Sequence, residues 1–97
     1  MSTVKLSGTF RNASRANFVQ IETYRPIPNP YDTKMSYNST FDPPLTLTNL
    51  VSGLTYLVDL TGQTPGEFDL SITGDVVAPI DKTYSNFFED GLTFTVK

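Results

Sequence analysis

The chain has 97 residues, enough for one domain, with a net charge of −3 and no cysteine, histidine or tryptophan. The absence of cysteine excludes disulfides and thiolate metal sites, and the absence of histidine removes the commonest general base and transition-metal ligand. We therefore expect no metal and no other cofactor, and the acidic balance argues against nucleic acid as a partner.

Charge is unevenly distributed along the chain. Residues 1–35 carry five basic and two acidic side chains, a balance of +3, whereas residues 36–97 carry two basic and eight acidic ones, a balance of −6. The first stretch, MSTVKLSGTF, has no apolar run of the length a secretory signal needs, and no stretch is apolar enough to span a membrane. The localisation stays open between a virion and an extracellular module of a larger protein.

Alternation of apolar and polar residues, with many β-branched side chains, predicts short strands and no helix. The predicted inward faces, in chain order, are Val4, Leu6 and Phe10; Val19, Ile21 and Thr23; Met35, Tyr37, Ser39 and Phe41; Leu45 and Leu47; Leu92, Phe94 and Val96. Gly8 interrupts the first run and marks a bulge or a close approach. RPIPNPYD, residues 25–32, is an extended connection or an edge, because proline cannot donate to a sheet ladder.

Two further runs, TYLVDLTG and GEFDLSITG, meet at the turn-like stretch GQTP, and we predict a hairpin over residues 56–72. The register pairs inward residues throughout: Leu60 with Phe68, Val58 with Leu70, and Tyr56 with Ile72. Residues 75–90 are expected to be irregular, and Asp90–Gly91 to lead into the last strand. Together these elements predict a single domain, residues 1–97, that folds as an antiparallel β-sandwich of about seven strands.

The predicted hairpin would place Asp59 opposite Asp69 on its outward face. Like charges in that position are unfavourable, and a bound cation would relieve them, but a solvated acidic face is the preferred interpretation. A pair of catalytic carboxylates is disfavoured because a flat hairpin face offers no cleft. With no histidine to act as base, the many serine and threonine hydroxyls are also poor nucleophiles, so we expect no enzymatic activity.

The stretch LVSGLTYLVDL, residues 50–60, resembles the Leu-x-Pro-Gly-x-x-Tyr-x-Val-x-Val stretch of fibronectin type III domains. The resemblance implies an immunoglobulin-like or fibronectin III-like sandwich with a tyrosine corner, in which a tyrosine hydroxyl bonds to the backbone a few residues upstream. It implies that Tyr56 is the corner tyrosine, Leu50 the buried residue before the corner, and Gly53 the turn residue. Ser52 replaces the usual proline, and the length of chain after Tyr56 implies an extra C-terminal strand.

Aromatic residues outside the core pattern are the candidates for partner binding, because phenylalanine and tyrosine are enriched at interfaces. They are Tyr31, in the proline-rich connection, and Tyr84, Phe87 and Phe88, in the segment expected to be irregular. Arg25 and Lys34 make the first segment basic, whereas the second is acidic. We expect these two segments to be the partner-binding surface, although the aromatic residues would alternatively cap an open end of the sandwich.

Two functions are compatible with this pattern. The first is a non-enzymatic assembly module, most plausibly a small decoration, tail or capsid protein of a phage virion, that contacts other subunits or further copies of itself. The uneven charge fits such repeated contacts. The alternative is a carbohydrate- or ligand-binding module, resembling fibronectin type III, from a secreted bacterial enzyme or adhesin.

Overall fold

The structure is a computed structural model that describes residues 2–25 and 31–97. Its strands are β1 (Ser2–Phe10), β2 (Phe18–Tyr24), β3 (Tyr31–Tyr37), β4 (Leu45–Leu50), β5 (Thr55–Gly74) and β6 (Ile80–Thr95). No helix occurs among the described residues, which confirms the all-β prediction. The predicted sandwich of about seven strands is not confirmed. The described part of the chain forms six strands in one antiparallel, curled sheet.

Strand β5 lies at the centre of the sheet and connects its two halves. The strand order is β3-β2-β5-β1-β4, and β6 pairs with the opposite edge of β5. Residues 57–63 of β5 pair with β2, and residues 68–74 pair with β1. The first half of the sheet is therefore β3, β2, the beginning of β5 and the end of β6, and the second half is β4, β1 and the remainder of β5 and β6. Buried side chains from both halves form one hydrophobic core.

The predicted inward faces of β1, of β2 and of the C-terminal stretch from Leu92 to Val96 are confirmed. The residues buried there are Val4, Leu6, Phe10, Val19, Ile21, Thr23, Leu92, Phe94 and Val96. Gly8 makes the expected close approach, since a Cβ at this position would lie 2.6 Å from Cζ of Phe41 and 2.8 Å from Cζ of Phe68. β3 ends at Tyr37, earlier than predicted, and Phe41 enters the core from the following loop, where its ring stacks on Tyr37 at 3.7 Å.

The predicted hairpin over residues 56–72 is wrong. β5 continues through the expected turn, so Leu60 and Phe68 lie opposite residues of β2 and β1 and not opposite each other. Between them, Gly62 and Thr64 are buried and keep the same alternation. The even-numbered residues face inward on both sides of the expected turn. The alternation alone is therefore compatible with one continuous strand as well as with a hairpin.

The segment expected to be irregular, residues 75–90, is largely strand. β6 continues through Asp90 and Gly91, so the last strand begins ten residues before this pair, at Ile80. Its inner face includes Lys82 and Tyr84, as well as Asp90, each paired with a buried residue of β5. Inward polar and charged residues are common on edge strands, and they concealed the alternation in the sequence.

β5 and β6 bend together where the two halves of the sheet meet. The pairing register shifts between Thr64 and Glu67 of β5, opposite residues 85 and 86 of β6. Pro65 lies within this shift, where its missing N–H removes no ladder bond. On β6, Asn86 has a left-handed φ of 59°, a conformation that asparagine tolerates better than most residues. The N–H of Gly66 donates to Oγ1 of Thr64 at 3.1 Å and closes the bulge.

A buried polar cluster attaches the bend to the loop between β1 and β2. Oγ1 of Thr64 donates to Oδ1 of Asn17 at 2.7 Å, and Nδ2 of Asn17 donates to the backbone oxygen of Asn12, also at 2.7 Å. Asn17 and Thr64 are both buried. Because buried hydrogen bonds of this kind are costly to break, the bend is a fixed feature of the fold.

Candidate interaction site

The outer surface of the bend presents an exposed aromatic row. Phe87 of β6 is 85% exposed, and Phe18, at the start of β2, is 42% exposed. Gln63 of β5 is the register partner of both, so the three residues cross the outer face of the sheet in one row. Such an exposed apolar surface marks a site of interaction more often than a random surface does.

A depression of about 300 Å³ lies beside this row and is called the bend depression below. It is lined by Ala16, Gln63, Thr64, Pro65, Asn86 and Phe87. The depression therefore combines apolar lining from Ala16 and Pro65 with the side-chain amides of Gln63 and Asn86. Its walls come from the loop before β2 and from the bend, which the buried polar cluster holds together.

Acidic side chains lie near Phe87 on the outer face of the sheet. Glu89 follows Phe87 by two residues on the same face of β6, and Glu22 and Asp59 are register partners farther along that face. Arg15 does not line the bend depression, because the side chain that this loop contributes there is Ala16, and Arg15 lines a second depression described below. Arg15 is exposed and has no ion pair among the described residues.

Two of the predicted partner-binding aromatics pack into the protein instead of lying on an irregular loop. Phe88 is buried and stacks on Phe68 at 5.7 Å, and the half-buried Tyr84 stacks on Phe88 at 5.1 Å. The Tyr84 hydroxyl donates to Oδ2 of Asp90 at 2.7 Å, and Nζ of Lys82 lies 3.7 Å from the same oxygen. Burial and this hydrogen bond raise the pKa of Tyr84 above its ordinary value. Of the three predicted aromatic residues in this segment, Tyr84, Phe87 and Phe88, only Phe87 is exposed.

The other predicted partner residues lie in the first half of the sheet, at the end away from the bend. Tyr31 is the first residue of β3 and is paired with Tyr24, six residues along β2 from the Phe87 row. Residues 26–30 of the predicted basic segment lie outside the described residues, as does the Tyr31 side chain. Arg25 is half-buried, and the exposed Lys34 lies opposite Glu22. The described residues of the first segment therefore lie away from Phe87, and the role of both segments in partner binding stays a prediction.

Asp59 and Asp69 do not face each other, because they lie in different halves of the sheet. Asp69 accepts hydrogen bonds from Nε of Arg11 at 2.6 Å, from Nη2 of Arg11 at 2.9 Å, and from the Thr83 hydroxyl at 2.6 Å. These bonds lower the pKa of Asp69 below its ordinary value. Arg11 also pairs with Glu67 at 2.7 Å, so these carboxylates form a surface ion-pair network.

A larger depression of about 720 Å³ lies between the β1–β2 loop and the turn that follows β3. Most of its lining residues are polar, and they include Asn12, Asn38 and Arg15. The aromatic residue in its lining, Phe10, is buried, and Arg11 in its wall is already paired with two carboxylates. Unlike the bend depression, it has no exposed aromatic ring in its lining, although the exposed Arg15 lies there.

Tyr56 occupies a structural position away from the bend. Its ring is buried and stacks on Phe94 at 5.5 Å, and its hydroxyl accepts a hydrogen bond from the backbone N–H of Val51 at 3.1 Å. Leu50 is buried, and Gly53 has a φ of 85° and donates its N–H to the backbone oxygen of residue 96 at 2.8 Å. The bond to Val51 is an upstream backbone contact of the kind expected for Tyr56, whereas its assignment to a family motif stays a prediction.

Sequence reasoning singled out Phe87 but missed the residues that surround it. Phe18 had a usable signal, because it has outward parity in a strand whose predicted inward residues begin with Val19. Gln63 and Asn86 had no such signal in the sequence, since their position depends on the bend.

Comparison with family models, curated proteins and solved structures finds no match for this chain. No helix of the described residues is long and apolar enough to cross a membrane.

Proposed function

We propose that the chain is a non-enzymatic structural module that joins protein subunits of a larger assembly, such as a phage virion, through the outer surface of the bend. The observation that carries this proposal is the 85% exposure of Phe87 beside a depression and in one row with Phe18. Burying a phenylalanine side chain stabilises a protein or a complex by roughly 1.5–3 kcal/mol. Phe87 makes this contribution only when a partner covers it.

The fixed geometry of the bend supports a binding role. Phe87 follows Asn86, whose left-handed backbone sets the direction of the strand, and Thr64 opposite is held by buried hydrogen bonds. A surface that is already ordered loses little conformational entropy when a partner binds. The bend can therefore act as a preorganised contact point.

The fold itself is proposed to be a variant of the immunoglobulin-like or fibronectin III-like sandwich. The two halves of the curled sheet share one core, as the two layers of a sandwich do. The Tyr56 hydroxyl makes the upstream backbone contact of a tyrosine corner. Domains of this architecture commonly act as rigid supports whose surface residues carry the function.

A carbohydrate-binding module is the second candidate, because amide side chains adjoin the exposed ring. Gln63 and Asn86 line the bend depression together with Phe87. An aromatic ring that contacts a sugar face, with amides that hydrogen bond to its hydroxyls, is a common arrangement in ligand sites. Tyr84 fits this role less well than the sequence suggested, since its hydroxyl is bonded to Asp90.

The test compares Phe87→Ser with Val77→Ser in the native setting of the protein. Val77 is 64% exposed, lies between β5 and β6, and is the matched control for loss of an exposed apolar side chain. We expect both variants to fold, and only Phe87→Ser to be missing from the purified assembly. Equal incorporation of both variants would contradict the proposal. Binding of the parent to a glycan array, lost in Phe87→Ser, would favour the second candidate.

A further inference from the structure

The outer face of the first half holds another depression, of about 280 Å³, on the side of Phe87 away from the bend. It is called the carboxylate depression below, and its lining includes Glu22, Asp59 and Glu89. Glu89 follows Phe87 by two residues of β6, which places it about 7 Å along the strand from the exposed ring. The aromatic row and the carboxylates therefore belong to one continuous surface.

The charges of these carboxylates are not compensated within the chain. Asp59 and Glu89 make neither an ion pair nor a side-chain hydrogen bond with any described residue. The Glu22 carboxylate accepts two hydrogen bonds, at 2.9 and 3.3 Å, both from neutral side chains of its own strand. Lys34 lies opposite Glu22 on β3, but no ion pair joins them. The surface beside Phe87 therefore carries a net negative charge.

Carboxylates on the outer face of the second half, by contrast, have partners within the chain. Glu67 and Asp69 are paired with Arg11, and Asp81 accepts a hydrogen bond of 2.6 Å from a hydroxyl of β5. The carboxylates without such partners lie instead beside the exposed ring of Phe87. The first half thus presents uncompensated charge at the same place where it presents apolar surface.

An arginine side chain of a protein partner matches both features of this surface. Its guanidinium group pairs with carboxylates and also packs on aromatic rings, and arginine is enriched at protein interfaces. Among the described residues, no group of three acidic side chains could hold a metal ion. A neutral sugar would contact Phe87 but would leave Asp59 and Glu89 without a counter-charge. The charge of the surface therefore favours a basic protein partner.

We propose that the subunit which binds this face presents an arginine side chain to the carboxylate depression and an apolar side chain to Phe87. This inference rests on the proposed function, because it names the chemistry of the partner that the assembly module joins. The opposite charges would orient the partner on the face and make the association sensitive to salt. The covered ring would supply the apolar contact.

Titration of the isotope-labelled chain with the capped peptide Gly-Leu-Arg-Leu-Gly, followed by nuclear magnetic resonance, tests the proposal. We expect the amide resonances of Asp59, Phe87 and Glu89 to shift, and binding to weaken in high salt. The same peptide with citrulline, the uncharged analogue of arginine, should bind about 10-fold more weakly, because a charge-assisted contact is lost. Calcium chloride alone should shift none of these resonances.

Variants locate the contact on the surface. Glu89→Gln and Phe87→Ser should each weaken binding of the arginine peptide about 10-fold. Asp81→Asn is the matched control, because Asp81 lies on the same face of β6 but in the second half, and it should bind the peptide like the parent. Far-UV circular dichroism checks that every variant folds.

The inference would be overturned by a parent that does not bind the arginine peptide at millimolar concentration, or by equal binding of the citrulline peptide. Undiminished binding by Glu89→Gln would also overturn it, as would resonances that calcium alone shifts. If Glu89→Gln combined with Asp59→Asn still joins the native assembly from which Phe87→Ser is missing, the proposed function stands and only the chemistry of the partner is wrong.

Discussion

Replacing Gly62 by alanine tests the packing of the central strand just before the bend. A glycine within a strand is usually less stable than alanine by about 0.5–1 kcal/mol, so the substitution should by default be favourable. Here, however, a Cβ at Gly62 would overlap the backbone oxygen of Phe18 and would lie 2.6 Å from Cζ of Phe88. The structure therefore predicts the opposite sign.

The magnitude follows from how little these two neighbours can move. The Phe18 oxygen belongs to the β2–β5 ladder, and the Phe88 ring is stacked between Phe68 and Tyr84. Overpacking of this kind costs about 1–3 kcal/mol and sometimes more, and the gain in strand propensity offsets only part of it. We expect a net loss of about 2 kcal/mol in the free energy of unfolding, or about 10 °C in Tm.

Urea unfolding followed by far-UV circular dichroism and tyrosine fluorescence measures this loss, since the chain has five tyrosines and no tryptophan. Gly91→Ala is the matched control, because Gly91 lies opposite Asp59 in the neighbouring strand and is exposed. The nearest atom to a Cβ there is Oδ1 of Asp59 at 3.3 Å, on a side chain that can move. The reasoning is refuted if Gly62→Ala is as stable as the parent, or if Gly91→Ala is equally destabilised.

Three further predictions concern hydrogen bonds. Tyr56→Phe removes the acceptor of an upstream backbone N–H and should lower the free energy of unfolding by about 1 kcal/mol; an unchanged urea midpoint would rule out a corner role. The lowered pKa of Asp69 means that its stabilisation is present above about pH 4, the unfolded value, and is lost as pH falls through the folded value. Arg11→Gln should flatten that acid limb, and a limb that does not change would contradict the assignment. The raised pKa of Tyr84 predicts that its bond to Asp90 stabilises fully below about pH 10 and is lost as pH rises further. Burial also raises the pKa of Tyr37, so ultraviolet titration should show late-ionising tyrosines, of which the Tyr84 contribution is absent in Tyr84→Phe and the Tyr37 contribution remains.

The strand content and much of the core could be predicted from the sequence, because inward parity is a local property of an extended chain. Val4 and Leu6 in β1, or Val19 and Ile21 in β2, alternate with polar residues, and each is buried in the structure. The sequence also marks Gly8 as a close approach, and a Cβ there would lie within 3 Å of the rings of Phe41 and Phe68. Phe87 and Phe88 both lie outside the predicted inward faces, and only the structure shows that Phe87 is exposed and Phe88 is buried.

The partners of each strand were decided only by the tertiary structure. Alternation through Gly62 and Thr64 is the same for one long strand as for a hairpin, so only pairing with β1, β2 and β6 distinguishes them. The candidate site depends on that result, since Phe18, Gln63 and Phe87 are distant in sequence and meet only through the register. The bend depression lies beside them, and the buried hydrogen bond between Thr64 and Asn17 holds its walls in place. No local sequence pattern predicts this arrangement.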